Sequence, residues 1–216
     1  MKKYTQILWD FNGTLLDDVQ TGIDSINVLL SRRALPTLRN REDYYQHFRF
    51  PITSYYRRVG LDLQAEDFDA LAEEWMEQYL HFVLDAGLFP GVISVLERIR
   101  AEGIPQTVFS ATERGLLLRQ IEQLGILPFF SEVLGLDNIR AESKIALGLE
   151  WVARHPGERT LLIGDTDHDR AAAAEMGVDC VLIAGGHQPA ERLQACGVPV
   201  LDCLENLPEY IFGETV

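Results

Sequence analysis

Residues 7–17 read Ile7-Leu8-Trp9-Asp10-Phe11-Asn12-Gly13-Thr14-Leu15-Leu16-Asp17: an apolar run that ends in a carboxylate, a Gly-Thr turn, and the start of an amphipathic helix. A short apolar run bounded by turn residues reads as a buried strand. A carboxylate at its C-terminal tip stands where open α/β sheets gather their chemistry. Runs of the same kind predict further strands at 106–110, 132–135, 160–164, 180–184 and 198–201, with the first at 5–10. Between them, apolar residues recur at helical spacing over 94–102, 116–124, 144–152 and 170–175, with Gly103, Gly125 and Gly177 as stops. Strands that alternate with helices imply a doubly wound parallel α/β sheet, Rossmann-like in its winding.

The stretch 17–88 is different. Helical periodicity runs over 18–32, 43–59 and 65–84 with no strand, and Pro90-Gly91 marks the return to the sheet. The predicted organisation is an α/β core from 1–16 and 89–216, with an all-helical insertion at 17–88.

Composition narrows the function. The chain has 216 residues, 47% of them hydrophobic, enough for one domain with a substantial insertion. It carries 19 basic and 33 acidic residues, a net charge of −14. Such a field does not attract nucleic acid or an anionic membrane, so neither is expected as a partner. Cys180, Cys196 and Cys203 are odd in number and lack CxxC spacing, which suits free thiols in a reducing compartment. The first residues have no signal-peptide pattern, and no run of about 18 apolar residues occurs. The expectation is a cytoplasmic protein, monomeric or homodimeric.

Four places carry chemistry: Asp10 with Asn12, Gly13 and Thr14; Ser110 in Val108-Phe109-Ser110-Ala111-Thr112; Lys144; and Gly164-Asp165-Thr166-Asp167-His168-Asp169. Asp10, Ser110 and Asp165 each end a predicted strand, and parallel strands share one C-terminal edge. Lys144 opens a helix and can reach the same edge. Carboxylates crowded together raise one another's pKa unless a cation compensates. Magnesium takes hard oxygen ligands of this kind and completes its shell with water and phosphate oxygens. Ser110 and Thr14 offer hydroxyls, and Lys144 a positive charge, to a phosphoryl group. Asp10 is left to attack phosphorus.

The ordered set resembles the haloacid dehalogenase superfamily of phosphohydrolases. Its pattern is Asp-x-Asp-x-Thr, a strand-ending Ser or Thr, a Lys, and Gly-Asp-x-x-x-Asp, here matched over essentially the whole chain. The insertion resembles that family's helical cap, and the fourth motif resembles phosphoglycolate phosphatase-like members. The resemblance implies a Mg2+-dependent phosphatase acting on a small phosphorylated metabolite through an aspartyl-phosphate. Asp10 is then the nucleophile, and Ser110, Ala111, Thr14 and Lys144 hold the phosphate. Asp10, Asp165, Asp169 and the Asn12 backbone carbonyl form the metal site.

Asn12 departs from the pattern. The family's second aspartate protonates the leaving group and later deprotonates water, and an amide does neither. General acid–base help is worth about 10²–10⁴-fold in rate, so slow turnover and a long-lived phospho-Asp10 follow. Asp17, Asp18, Glu113 and His168 are the nearby groups that could substitute, and Asn12→Asp is expected to raise turnover. The alternative is a phosphate-ligand binding or regulatory protein with an impaired site. A receiver-type signalling domain also combines acids, a hydroxyl and a lysine, but the insertion and the Gly-Asp-Thr motif argue against it. Schiff-base chemistry in the cap is disfavoured because the lysines are Lys2, Lys3 and Lys144 only. Arg49, Arg57 and Arg58 are the cap residues with the charge to touch an anionic substrate. Tyr44, Tyr45, Phe48, Tyr55 and Tyr56 read as cap core, and Asp167, His168 and His187 as loop residues.

Overall fold

The computed structural model describes residues 3–139 and 143–213. After β1 (Gln6–Trp9) come four helices: α1 (Val19–Arg32), α2 (Arg41–His47), α3 (Ile52–Arg58) and α4 (Phe68–Phe82). The chain then alternates: α5 (Val92–Ala101), β2 (Gln106–Glu113), α6 (Arg114–Gln123), β3 (Glu132–Leu136), α7 (Ile145–Arg154), β4 (Thr160–Gly164), α8 (Asp167–Met176) and β5 (Asp179–Ile183). It ends with α9 (Ala190–Gln194), β6 (Val200–Leu201) and α10 (Leu207–Phe212). The six strands form one parallel sheet in the order β3-β2-β1-β4-β5-β6. Winding reverses at β1, so the crevice beyond the C-terminal ends of β2, β1 and β4 is the natural ligand site.

Strand alternation builds two apolar layers. Ile7, Trp9, Val108, Leu161 and Ile163 face one cluster, which α5, α6 and α10 complete. Leu8, Phe109, Leu162 and Leu182 face the other, against Trp151 of α7 and Ala172, Ala173 and Met176 of α8. The strands are covered on both faces, hence their near-continuous apolar sequence. The helices after β1 have their own core, where Ile23, Ile26 and Leu30 of α1 meet Tyr44, Tyr56 and Leu71. Each such side chain contributes about 1.5–3 kcal/mol when fully buried, which lets this segment hold its shape beside the sheet.

The predicted helix over 43–59 is two helices. Pro51 lacks an N–H and pushes the residue before it out of the helical region. Accordingly α2 stops at His47, Phe48 is extended (φ −62°, ψ 124°), and α3 restarts after Pro51. The break places Phe48 and Phe50 in a loop over the sheet edge. Two further differences are small. β2 runs on to Glu113 with an irregular register after Phe109, and α10 adds Leu207 and Ile211 to the first layer. No helix among the described residues is long and apolar enough to cross a membrane.

Candidate active site

Asp10 follows β1, Asp165 follows β4, and Ser110 lies in β2, on the three strands around the winding reversal. The loop after Asp10 is tight: the N–H groups of Leu15 and Leu16 donate to the Phe11 carbonyl, and Gly13 adopts φ 75°. A side chain on Gly13 would be strained and would also strike the Asp165 carboxylate. Gly186, just past β5, is under the same steric limit.

Asp10, Asp165 and Asp169 each offer an oxygen within 4.8 Å of the others, and all three are buried. Lys144, at the N-terminal boundary of α7, is buried with them and pairs with both Asp10 and Asp169, the latter at 2.7 Å. Burial disfavours its cation, but the two carboxylates more than offset this and raise its pKa. Asp169 is held below the usual carboxylate range: burial opposes its charge, and Lys144 and the Thr166 hydroxyl outweigh burial. Its second oxygen accepts from Thr166 Oγ1 and from the Thr166 N–H, in a capping box that starts α8. The remaining two acids are driven the other way. Burial, then the charge of Asp169, keeps Asp10 well above its ordinary value despite Lys144. Burial likewise lifts Asp165 to about 7 against the pull of His187. One lysine against three buried carboxylates leaves an excess of negative charge, and hard oxygen donors so close together fit a divalent cation.

The Asn12 amide is fully engaged. Its nitrogen donates to Asp18 Oδ2 at 2.8 Å and to Tyr79 Oη at 2.9 Å, and its oxygen accepts from Thr112 Oγ1 at 2.6 Å. Tyr79 in turn donates to Asp18 Oδ2 at 2.8 Å, and Asp18 Oδ1 accepts the Gly13 N–H at 2.9 Å. His187 closes the network: Nε2 lies 3.3 Å from Asp18 Oδ1 and Nδ1 lies 2.8 Å from Tyr44 Oη. Its backbone N–H donates to Asp165 Oδ2 at 2.6 Å. Burial opposes the imidazolium, but Asp18, Asp165 and Asp10 raise the His187 pKa to about 9. Burial penalises the Asp18 charge too, yet His187 and the donors from Asn12 and Tyr79 hold its pKa below the ordinary value. The amide at position 12 therefore matches its neighbour. An aspartate there would set two carboxylates at hydrogen-bond distance and raise the pKa of one of them.

Other expectations sort by geometry. Ala111 and Ser110 border the cavity, and Ser110 Oγ lies 3.1 Å from Thr112 Oγ1. The Thr14 hydroxyl points at Asp165 Oδ1 (3.2 Å) and Asp10 Oδ2 (3.4 Å), so it braces the carboxylates. Of the groups that could substitute for a lost acid, Glu113 is spent capping α6, and Asp17 is exposed and paired with Arg41. Asp167 and His168 belong to α8. Asp167 pairs with Arg192, while His168 stacks on Phe50 with ring centroids 4.4 Å apart. His187 is in a loop, but its side chain enters the site. Arg49 and Arg58 donate to backbone carbonyls of the cap itself (Tyr45 and Phe48 for Arg49, Gln46 for Arg58), and Arg57 is exposed; none borders the cavity. Tyr44, Phe48, Tyr55 and Tyr56 are both cap core and cavity wall, while Tyr45 donates to the Gly186 carbonyl. The sequence assigns no role to Tyr79, Phe50 and Trp75, and names Asp18 only as an acid that could substitute at position 12. Asp18 and His187 had one usable signal: each lies just past a strand on the C-terminal edge.

Above Asp10 and Lys144 lies a cavity of about 150 Å³, bounded below by the carboxylates and above by α1–α4 with the Phe48–Phe50 loop. The sequence matches the haloacid dehalogenase-like hydrolase family over residues 7–183. The chain belongs to that family. A phosphoglycolate phosphatase from Caulobacter vibrioides is 27% identical over 88% of this chain and 84% of its own length. Another from Chromobacterium violaceum is 25% identical over 90% and 91%. A haloacid dehalogenase-like family protein from Streptococcus pneumoniae has the same fold at a TM-score of 0.82, with 20% identity over 97% of this chain and 99% of its own. Protein Tyrosine Kinase A from Mycobacterium tuberculosis also shares the fold, at a TM-score of 0.81 and 21% identity over 97% and 98%.

Proposed function

We propose that this chain is a magnesium-dependent phosphomonoesterase whose nucleophile is Asp10 and whose cap is the segment 17–88. The observation that carries the reading is Lys144 seated between Asp10 and Asp169 beside Asp165, at the winding reversal of the sheet. Asp10, Asp165 and the Asn12 carbonyl are the groups that would hold Mg2+, which supplies charge neutralisation for the phosphoryl oxygens.

Lys144 lowers the cost of charge on Asp10 and offsets charge on the transferring group, while the Ser110 hydroxyl and the backbone at Ala111 meet its oxygens. An Asp10 oxygen bonds to phosphorus and the ester oxygen departs with its electron pair. Water then attacks the phosphorus of phospho-Asp10, releasing inorganic phosphate and the carboxylate. Asp169 holds Lys144 and Thr166 in place. Helices α1–α4 exclude bulk water during the first transfer. The cytoplasm and small phosphorylated metabolites suit this reading. Names of relatives support the chemistry without fixing the substrate.

The test is steady-state and burst kinetics on 4-nitrophenyl phosphate with Mg2+. The expected outcome is Mg2+-dependent release that Asp10→Asn abolishes, with a burst of nitrophenol because Asn12 cannot deprotonate the attacking water. Saturable binding of phosphate compounds with no turnover by the wild type would replace this reading with that of a phosphate-binding protein.

A further inference from the structure

We propose that the departing half of the substrate is an uncharged aromatic ring, so that this enzyme acts on aryl phosphomonoesters in preference to anionic ones. The inference rests on the phosphomonoesterase reading and narrows its substrate class.

The cavity wall facing Asp10 is aromatic: Phe48, Phe50, Tyr55, Tyr56, Phe68 and Trp75 line it. Rings favour edge and offset contacts with another ring, and Phe50 already stacks on His168 at the cavity wall. At about 150 Å³ for the phosphoryl group and the departing group together, the space admits nothing larger than one ring beside the phosphate.

Charge points the same way. Among the described residues of the wall, Lys144 is the one lysine or arginine, and Asp10 and Asp169 engage it. His187 is paired with Asp18. Glu113 and Asp18 also border the space. A carboxylate on the departing group would be desolvated against these acids with no free counter-charge among the described residues of the wall.

Asn12 supplies an independent argument. An alcohol leaving as alkoxide needs a proton in the transition state, which the pinned amide does not give. A phenol, with a pKa near 10, leaves as phenolate. The Asp10–phosphorus bond forms, the phosphorus–O(aryl) bond breaks, and the phenolate keeps the electron pair and takes a proton from water. Hydrolysis of phospho-Asp10 then consumes one water and returns inorganic phosphate.

The experiment compares kcat/KM of the full chain with Mg2+ on phenyl phosphate, cyclohexyl phosphate and 2-phosphoglycolate. Phenyl phosphate is expected to exceed 2-phosphoglycolate and cyclohexyl phosphate by about 10²-fold or more, the range a missing general acid imposes. An active enzyme that turns over 2-phosphoglycolate or cyclohexyl phosphate as well as or better than phenyl phosphate overturns the inference and leaves the phosphatase reading standing. Turnover of none of the three overturns both.

Discussion

The floor and the roof of the cavity obey different rules. The floor is charged, buried and saturated: Asp169 accepts from Lys144 and Thr166, Thr14 braces two carboxylates, and every polar atom of the Asn12 side chain is used. The roof is aromatic, and leaves Tyr55 Oη and Trp75 Nε1 without partners. A saturated polar floor resists the loss of its one lysine, because that removal strands buried carboxylates. A roof of ring contacts tolerates exchange and is where a substrate would be told apart. Chemistry and selectivity are thus separated by region, one built from strand ends and the other from the inserted helices.

The largest break in this contrast should come from Lys144→Met. It leaves Asp10 and Asp169 uncompensated, and breaking such a buried pair costs about 3–5 kcal/mol. For a chain of this size that is a fall in Tm of roughly 6–20 °C, read by thermal melts in chelator. Asp10→Asn should do the reverse: turnover is lost while the melt moves up by roughly 1 kcal/mol, the usual sign when a functional charge is removed.

Next is the Asn12–Asp18 pair. Asn12→Asp alone should destabilise by about 1–3 kcal/mol, because it unpairs a buried acceptor. Asn12→Asp with Asp18→Asn exchanges the two groups and restores the bond. A double-mutant cycle is expected to give a favourable coupling of about 1 kcal/mol or more; additive losses would mean that the two side chains do not meet in solution.

A roof change should act on KM. Phe50→Ala removes the ring stacked on His168, worth about 0.5–1.5 kcal/mol. KM for an aryl phosphate should rise by up to about tenfold, and the loss of the stack should lower the melt by a few degrees at most, roughly 1–6 °C.

The smallest effect sits on the outside of the cap. Arg33 pairs with Glu66 and Glu74, at 2.6 and 2.7 Å. The bond from Arg33 holds the Glu74 pKa below its ordinary value. A lowered folded-state pKa stabilises at pH above the unfolded value and is lost as pH falls through the folded one. Glu74→Gln should therefore melt slightly lower than wild type at neutral pH, by less than about 1 kcal/mol since the pair is half-exposed. The difference should vanish in acid.

Sequence patterns found much of this architecture for identifiable reasons. The strands around Ile7, Val108 and Leu161 were legible because a sheet covered on both faces demands unbroken apolar runs. Asp10, Ser110 and Asp165 were expected together because parallel strands share an edge. The apolar spacing over 43–59 continues across Pro51, so periodicity alone predicts one helix where the proline makes two. The roles of Asp18, Tyr79 and His187 were hidden for another reason. Tyr79 is 67 residues from Asn12, and no periodicity links a cap tyrosine, a loop histidine and a strand-end amide.

The sequence by itself determined a doubly wound sheet with a helical insertion after its first strand, and an acid–lysine–acid set at one edge. Local pattern suffices for these because strand burial and winding are dictated residue by residue along the chain. Only the tertiary structure decided why position 12 carries an amide, that the cap arginines stand outside the cavity, and that its wall is aromatic. Those depend on which side chains from distant segments meet in a space without water, where a hydrogen bond made or missed has its full energetic weight.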